Sequence, residues 1–221
     1  VIPAGTIFGV VRWDGTQWTE YARRIGEVHA MTTSPSGELL VAGNLAVLDD
    51  EPVRGLARWD GTRWQAIGHG FDDDVLGLIA LPTGELVAFG AFRYAPYQPT
   101  TALVRWNGAA WRPMPPNVNA GVWTNAPDCA VLDRLGDLWL GGALPASTTA
   151  NAILRWRAGW DELAAPFRVG CMAFGGADLY AGCPNAASLG RSIRRHDGIQ
   201  WCDLGAGLDG PVHALLAHSS G

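Results

Sequence analysis

Lysine is absent from the 221-residue chain, so all 16 basic residues are arginine. Without lysine the chain has no group for Schiff-base catalysis and no phosphate-binding loop of the Walker type. Charged residues make up only 17% of the chain and the formal net charge is −5. A surface that neutralises nucleic acid or an anionic membrane needs an excess of positive charge. We therefore expect neither nucleic acid nor membrane insertion among its interactions.

Long apolar runs and recognised cysteine motifs are also missing. The longest apolar stretch, residues 75–81, is far shorter than the roughly 18 residues that a membrane-spanning helix needs. The four cysteines, at 129, 171, 183 and 202, show no Cys-x-x-Cys spacing, which argues against zinc and thioredoxin-type sites. Three disulfide connectivities are open. Cys183–Cys202 is the first choice because both residues fall in one repeat, and free core thiols are the alternative.

Glycine and tryptophan are abundant instead, with 29 and 11 copies, and most of the tryptophans lie in a repeated motif. The motif consists of an arginine, an aromatic residue, a tight turn and a second tryptophan. Its five copies lie at residues 12–18, 58–64, 105–111, 155–160 and 195–201. Successive arginines are 46, 47, 50 and 40 residues apart, a length that accommodates four short strands and their turns.

Each repeat predicts four β-strands, labelled a to d. A glycine turn separates strands a and b, as in residues 28–43, and Asp-Gly or Asn-Gly separates strands c and d in most copies. These dipeptides tolerate the positive φ angles that tight hairpin turns require. No segment has a sustained apolar period of 3.6 residues, which is the pattern of an amphipathic helix. The sequence therefore predicts an all-β chain of four-stranded antiparallel sheets.

The two ends of the chain predict how these sheets are arranged. Residues 211–221 resemble a strand a and its turn, whereas residues 1–27 begin with a strand b and continue through strands c and d. Together they complete one repeat, which is how radially repeated sheets close a ring. We therefore predict one domain, residues 1–221, folded as a five-bladed β-propeller. Its blades are residues 28–74, 75–121, 122–167 and 168–210, with a fifth blade shared by 1–27 and 211–221.

The repeat resembles a known family. An apolar strand ending in glycine, a variable loop and an aromatic pair around a tight turn resemble the kelch-type blade. The Arg-Trp-Asp-Gly-x-x-Trp form is similar to the kelch-like repeats of bacterial surface and secreted proteins. The resemblance covers nearly the whole chain, although only residues 141–142 give a double glycine and the aromatic pair is more closely spaced. It implies a propeller in a secreted or cell-surface protein, and it assigns no activity.

Repetition separates structural residues from candidate functional ones. Nine of the eleven tryptophans lie in the motif and are expected to pack between blades. The motif arginines are expected to stack on these rings or to pair within the sheets. Trp123 has no counterpart in the repeat. It is therefore a candidate for recognition rather than packing.

The variable loops carry the first candidate site. The a–b and c–d turns are short, whereas the b–c and d–a connections are long and differ between repeats, and recognition usually lies in such loops. They contain Asp73, Arg93, Tyr94, Tyr97 and Trp123, residue types that stack on sugars, hydrogen-bond to them or hold a partner protein. The preferred interpretation is a non-enzymatic module that binds carbohydrate or protein. Ordinary solvated loops are the alternative.

Acids and histidines near the start of strand a form the second candidate site. Glu27, Asp74 and Asp128 lie there, and His29 and His213 share one repeat position. Carboxylates and imidazoles that converge at the mouth of a propeller channel can bind a divalent metal or act as general acid and base. This predicts, as an alternative, a hydrolase or a metal-assisted enzyme. Otherwise no cofactor is expected, and a structural scaffold is the third interpretation.

Overall fold

The structure is a computed structural model that describes most of the chain. The described residues are 9–23, 26–48, 51–92, 94–95, 98–99, 102–114, 126–142, 144, 151–184, 192–206 and 208–217. Over these residues the chain forms 22 strands and no helix, which confirms the predicted all-β class. No helix able to cross a membrane occurs in this part of the chain. The chain divides into two compact units, Val1–Met114 and Pro115–Gly221.

The first unit contains a long hairpin, two four-stranded antiparallel sheets and two short hairpins. In chain order its strands are β1 (Gly9–Trp13), β2 (Trp18–Arg23), β3 (Glu27–Thr33), β4 (Leu39–Asn44), β5 (Val47–Leu48), β6 (Glu51–Pro52), β7 (Leu56–Trp59), β8 (Trp64–Ala66), β9 (Val75–Ala80), β10 (Leu86–Gly90), β11 (Tyr94–Ala95), β12 (Gln98–Pro99), β13 (Leu103–Trp106) and β14 (Trp111–Pro113). The sheets have the orders β3-β4-β7-β8 and β9-β10-β13-β14, while β5-β6 and β11-β12 are small hairpins within the b–c connections. The two sheets correspond to two predicted blades, and β1-β2 to strands c and d of a third.

The second unit contains two further four-stranded sheets. Its strands are β15 (Cys129–Leu132), β16 (Leu138–Gly142), β17 (Ala152–Trp156), β18 (Trp160–Ala164), β19 (Cys171–Gly175), β20 (Asp178–Gly182), β21 (Ile193–His196) and β22 (Trp201–Asp203). Each sheet follows chain order, β15-β16-β17-β18 and β19-β20-β21-β22. The a–b and c–d turns therefore lie at one end of every sheet, called the short-turn end. The b–c and d–a connections lie at the other, called the long-connection end.

The C-terminal segment lies where strand a of the fifth blade is predicted. Residues 211–217 have no strand assignment, but the Val212 N–H donates to the Cys183 carbonyl at 2.8 Å. A Cβ on Gly182 would lie 2.8 Å from Val212. In the same way, a Cβ on Gly141 of the preceding blade would lie 2.8 Å from Val169. Residues 1–8, the predicted strand b of this blade, lie outside the described residues. Closure of the ring and the single-domain boundaries remain predictions.

The motif turn is fixed by its aspartate and its glycine. The Asp60 carboxylate accepts the backbone N–H groups of Thr62 at 2.8 Å and Arg63 at 3.0 Å, and Gly61 has a φ of 104°. Asp14, Asn107 and Asp197 cap the other Gly turns in the same way. The backbone hydrogen bonds stabilise the ionised carboxylate and lower the pKa of Asp60 to about 2. The recurring Asp-Gly is therefore a turn-forming element.

In three copies of the motif the second tryptophan joins its blade to the preceding one. The indole Nε1–H of Trp64 donates to the Tyr21 carbonyl at 2.8 Å, and that of Trp111 donates to the Ile67 carbonyl at 3.1 Å. In the second unit Trp201 donates to the Ala164 carbonyl at 2.8 Å. Each acceptor lies in or directly after strand d of the preceding blade. The predicted packing role of these tryptophans thus includes a hydrogen bond between blades.

Hydrophobic cores fill the spaces between neighbouring blades of each unit. Leu40 and Ala42 of β4 join the cluster shared with the second sheet, whereas Val41 joins the cluster shared with the β1-β2 hairpin. Alternate side chains of one strand point to opposite faces of its sheet. Both faces of β4 are therefore buried, as expected for a central strand between two other blades.

The four cysteines are free thiols, so the first-choice pairing of Cys183 with Cys202 is wrong. Cys183 follows β20 and Cys202 lies in β22, with β21 between them. Two strand spacings amount to about 10 Å, which exceeds the roughly 7 Å that a disulfide can bridge between Cα atoms. Burial raises the pKa of the Cys129 and Cys171 thiols. These two residues therefore behave as small core side chains.

Candidate functional site

The structure describes two of the five predicted recognition residues, Asp73 and the backbone of Tyr94, both at the long-connection end. Asp73 is exposed, and its carboxylate accepts the N–H of Asp74 at 2.8 Å. Tyr94 begins β11, and its backbone is paired with Pro99 of β12. Arg93, Tyr97 and Trp123 lie outside the described residues. The described residues thus place Asp73 on the predicted d–a connection and the backbone of Tyr94 on the predicted b–c connection.

Backbone hydrogen bonds and buried side chains hold the two long connections of the first sheet. In the b–c connection, the Val53 N–H donates to the Ala46 carbonyl at 3.0 Å, and Leu48 and Val53 are fully buried. The d–a connection is joined to it, because the Phe71 N–H donates to the Arg54 carbonyl at 2.9 Å. Arg54 itself has a φ of 42°, a left-handed conformation that costs a non-glycine residue about 1 kcal/mol or more unless its surroundings hold it. The described backbone of these two connections is therefore held by its own hydrogen bonds and buried side chains.

A β-bulge sets the position of His29. Val28 pairs with Gly43 and Ala30 with Ala42, so His29 is an additional residue in β3. The His29 Nε2 lies 3.7 Å from the Asp74 Oδ2, and both side chains are about one-third exposed. This distance is longer than a hydrogen bond but close enough for electrostatic attraction once the imidazole is protonated. The structure thus brings together His29 and Asp74, two members of the predicted acid and histidine group.

Asp128 is paired with an arginine that the sequence analysis did not select. The Arg168 Nε and Nη2 donate to the two Asp128 carboxylate oxygens at 2.7 Å and 2.8 Å. This bidentate contact raises the pKa of the Arg168 guanidinium. Arg168 directly precedes Val169, which packs beside β16. The pair therefore links the starting points of two neighbouring strands a in the second unit.

The remaining members of the group are exposed, and the acids do not share one register. Glu27 pairs with Asn44 at the first position of β3 and is exposed, as is His213 in the C-terminal segment. When strand a is aligned on its last paired residue, Thr33 in β3 and Leu132 in β15, Asp128 matches His29 rather than Glu27. No group of three or more potential metal ligands occurs among the described residues.

The short-turn end carries a repeated ion pair whose acidic member the sequence analysis missed. In each four-stranded sheet the motif arginine contacts an acid that directly precedes strand b or is its first residue. The pairs are Arg58–Glu38, Arg105–Glu85 and Arg195–Asp178, each at 3.4 Å, together with Arg155–Asp137. The sequence does contain a signal for this acid, because each of these strands b has a leucine directly preceded by Glu or Asp. These arginines are thus predominantly sheet-pairing residues, as predicted.

Comparison with known proteins gives a fold but no family. No protein-family model matches the chain, and no curated protein matches it. Virginiamycin B lyase from Staphylococcus aureus, a solved structure, has a TM-score of 0.51 and 14% identity over 80% of this chain and 54% of its own. The extracellular domain of BT4673 from B. thetaiotaomicron has a TM-score of 0.64 and 10% identity over 94% of this chain and 27% of its own.

A second structure of the BT4673 domain gives the same TM-score of 0.64, with 11% identity over 95% of this chain and 28% of that one. The chain thus spans about half the length of the lyase and little more than a quarter of the BT4673 domain. These structures are β-propeller-like. At such identities the likeness supports the propeller type of fold and carries no activity across.

Proposed function

We propose that the chain is a recognition module that binds carbohydrate or protein through the long-connection end of its sheets, without catalysing a reaction. The observation that carries the proposal is the fixed backbone of the first sheet's connections, where Phe71 is bonded to Arg54 and the b–c hairpin is packed on buried Leu48 and Val53. Rigid connections with variable side chains bind with little loss of conformational entropy.

The polar side chains of this end support binding better than proton transfer. Both oxygens of Asp128 already accept hydrogen bonds from Arg168, which suits this carboxylate to joining two blades. Asp73, Arg93, Tyr94, Tyr97 and Trp123 are the proposed contact residues. The BT4673 structures are of extracellular domains, which supports a secreted or cell-surface location for this chain as part of the proposal.

The second candidate is an enzyme centred on His29 and Asp74. The 3.7 Å approach of the two partly exposed side chains supports it, because an imidazole beside a carboxylate can act as a general base. Glu27 is the further acid of this candidate in the first unit. Asp128 and His213 are the corresponding candidate acid and metal ligand of the second unit. This arrangement would serve a hydrolase or a metal-assisted reaction.

Glycan-array binding and metal analysis of the purified protein test the two candidates. Recognition predicts binding that is lost in Trp123→Ala or Tyr94→Ala and retained in Trp18→Phe, an aromatic control that is 54% exposed. The same variants immobilised on beads test a protein partner. Stoichiometric metal that disappears in His29→Ala or His213→Ala would instead favour the enzyme. Binding that is indifferent to Trp123 and Tyr94 would contradict the proposed site.

A further inference from the structure

Neighbouring blades leave an open groove between them at the short-turn end. Groove I lies between the β1-β2 hairpin and the first sheet, with a volume of about 720 Å³. Groove II lies between the two sheets of the first unit and measures about 390 Å³. Groove III lies between the two sheets of the second unit and measures about 510 Å³. These volumes fall in the range of small-molecule sites.

The three grooves are built from equivalent positions of the repeat. In each, the motif arginine of one blade faces the first motif aromatic and the turn glycine of the next blade. The sets are Arg12 with Trp59 and Gly61, Arg58 with Trp106 and Gly108, and Arg155 with His196 and Gly198. A groove that recurs at three blade junctions is a property of the repeat, so a ligand that fits one of them has several places to bind.

Groove II has one wall of polar groups with a fixed arrangement. The Ser34 and Ser36 hydroxyls lie 2.7 Å apart, and the Ser36 hydroxyl donates to Glu38 at 3.1 Å. Arg58 donates to Glu38 at 3.4 Å and to Gln65 at 2.8 Å. The arginine and glutamate side chains remain 44% and 30% exposed. This wall therefore offers guanidinium donors, carboxylate acceptors and hydroxyls that do both.

Apolar and aromatic residues also line groove II. Leu40 and Ile67 come from the first sheet and Leu86 and Trp106 from the second, and the Trp106 ring is held by Trp111 at a centroid distance of 5.4 Å. An aromatic ring presents a flat apolar surface against which the C–H groups of a ligand can pack. A ligand that fits groove II therefore needs both an apolar surface and many hydroxyl groups.

Charge balance selects the ligand class further. In groove II Arg58 and Glu38 neutralise each other, so a charged ligand would find no unpaired countercharge there. Grooves I and III are also lined by side chains of both signs, Arg12 with Glu38 and Asp60 in groove I and Arg155 with Asp133 in groove III. We propose that grooves I, II and III are corresponding binding sites for neutral saccharides, so that the chain binds a glycan at several blade junctions. The proposal goes beyond the recognition module above, because these grooves lie at the opposite end of the sheets from the b–c and d–a connections.

The grooves differ enough to predict unequal affinities. Groove III has His196 in place of the motif tryptophan, but it adds Trp139, whose indole N–H donates to Asp133 at 3.0 Å. Phe174 meets Trp139 edge to face at 5.4 Å. Each groove thus retains at least one aromatic surface and one arginine, while the identity of the aromatic residue varies. We expect one saccharide class to occupy all three with different strengths.

Affinity electrophoresis through gels containing mannan, xylan or a β-1,3-glucan, with hyaluronan as the acidic comparison, tests the proposal. We expect retardation by at least one neutral polysaccharide and no preference for hyaluronan. Arg12→Met and Arg58→Met remove the donors of grooves I and II while keeping an aliphatic stem. Each should weaken retardation, and the double variant should reduce it about tenfold or more, because charged hydrogen bonds and multivalency are both lost.

Arg63→Met is the matched control, since Arg63 is 75% exposed in the turn of the same blade and lines none of the three grooves. It should be retarded like the wild type, and all variants should keep the wild-type thermal midpoint within a few degrees. Titration calorimetry with an oligosaccharide of the retarding polymer should give more than one site per chain. The proposal is overturned if no neutral polysaccharide retards the protein, if hyaluronan is preferred, or if the double variant behaves like Arg63→Met.

Trp123→Ala separates this proposal from the first one. Glycan binding that survives Trp123→Ala but is lost in the Arg12 and Arg58 double variant supports the grooves and contradicts the long-connection site for carbohydrate. Glycan binding with the reverse dependence supports the long-connection site and overturns the grooves.

Discussion

Trp111 and Trp18 occupy the same position of the repeat in very different surroundings. Trp111 is only 8% exposed, and its indole N–H donates to the buried Ile67 carbonyl. Trp18 is 54% exposed. If tryptophan at this position stabilises the fold by joining blades, Trp111→Phe should be far more damaging than Trp18→Phe.

The magnitude follows from two losses at the Trp111 site. Phenylalanine has no N–H, so the Ile67 carbonyl would be buried without its donor, which costs about 1–3 kcal/mol. The smaller ring also leaves a void beside Phe71, whose centroid lies 5.1 Å from that of Trp111, and this adds about 1 kcal/mol. We expect Trp111→Phe to lower the free energy of unfolding by about 2–4 kcal/mol. Trp18→Phe should stay within about 0.5 kcal/mol of wild type.

Urea and thermal unfolding followed by far-ultraviolet circular dichroism measure the difference without relying on tryptophan fluorescence. For a chain of this size, Trp111→Phe should lower the melting midpoint by roughly 5–10 °C. Equal effects of the two substitutions would refute the reasoning. They would show that the hydrogen bond and the burial of Trp111 make it no more important to stability than the exposed Trp18.

Two further predictions concern charged groups. The pKa of Asp14 and of Asp60 is lowered from 3.8 to about 2 by backbone hydrogen bonds, so the stability they add is present above about pH 4 and is lost as the pH falls towards 2. The double variant Asp14→Asn and Asp60→Asn, which keeps the capping oxygen, should therefore lose less of its melting midpoint on acidification than wild type; an equal loss would contradict this. Arg155→Met should cost about 2 kcal/mol because it removes hydrogen bonds to the Asp137 carboxylate, which is 8% exposed, whereas Arg58→Met should cost less than about 1 kcal/mol because its pair is solvated. Urea unfolding compares them, and equal costs would show that burial of the acid is immaterial.

Much of the fold could be predicted because the repeat imposes the same local pattern several times. The Asp-Gly turns, such as Asp60 and Gly61, encode their hairpins through side-chain capping and a positive φ. The packing role of the motif tryptophans also follows from repetition. The hydrogen bond of Trp111 to Ile67 could not be predicted, because it depends on how one sheet is placed against another.

The register of the acids and histidines near strand a could not be predicted for a related reason. The bulge at His29 adds one residue to β3. In the sequence the acids near the start of each strand a look equivalent. In the structure Asp128 matches the position of His29 instead of Glu27. A bulge changes pairing without a fixed residue signature. The Cys183–Cys202 pairing was wrong because membership of one repeat does not reveal that β21 lies between the two residues.

The acidic partner of the motif arginine was visible in the sequence but had no assigned role. Glu38 and Arg58 are 20 residues apart, and only the pairing of strand b with strand c brings them together. The mixture of aromatic and polar residues in the variable loops predicts recognition as the function. The sequence does not show at which end of the sheets these residues line a concave surface, because such a surface forms only between neighbouring blades.

The tryptophan bond between blades has a direction along the chain. In every described case the donor belongs to the later blade and the acceptor to the earlier one. During synthesis the acceptor carbonyl of each bond is therefore made before its donor. Each new blade can form a hydrogen bond to the blade already synthesised before the next one is made. Deleting the last blade leaves only a backbone carbonyl to be hydrated, whereas deleting the first blade also exposes the large apolar indole ring of the following blade to water. Truncation should consequently be tolerated unequally at the two ends.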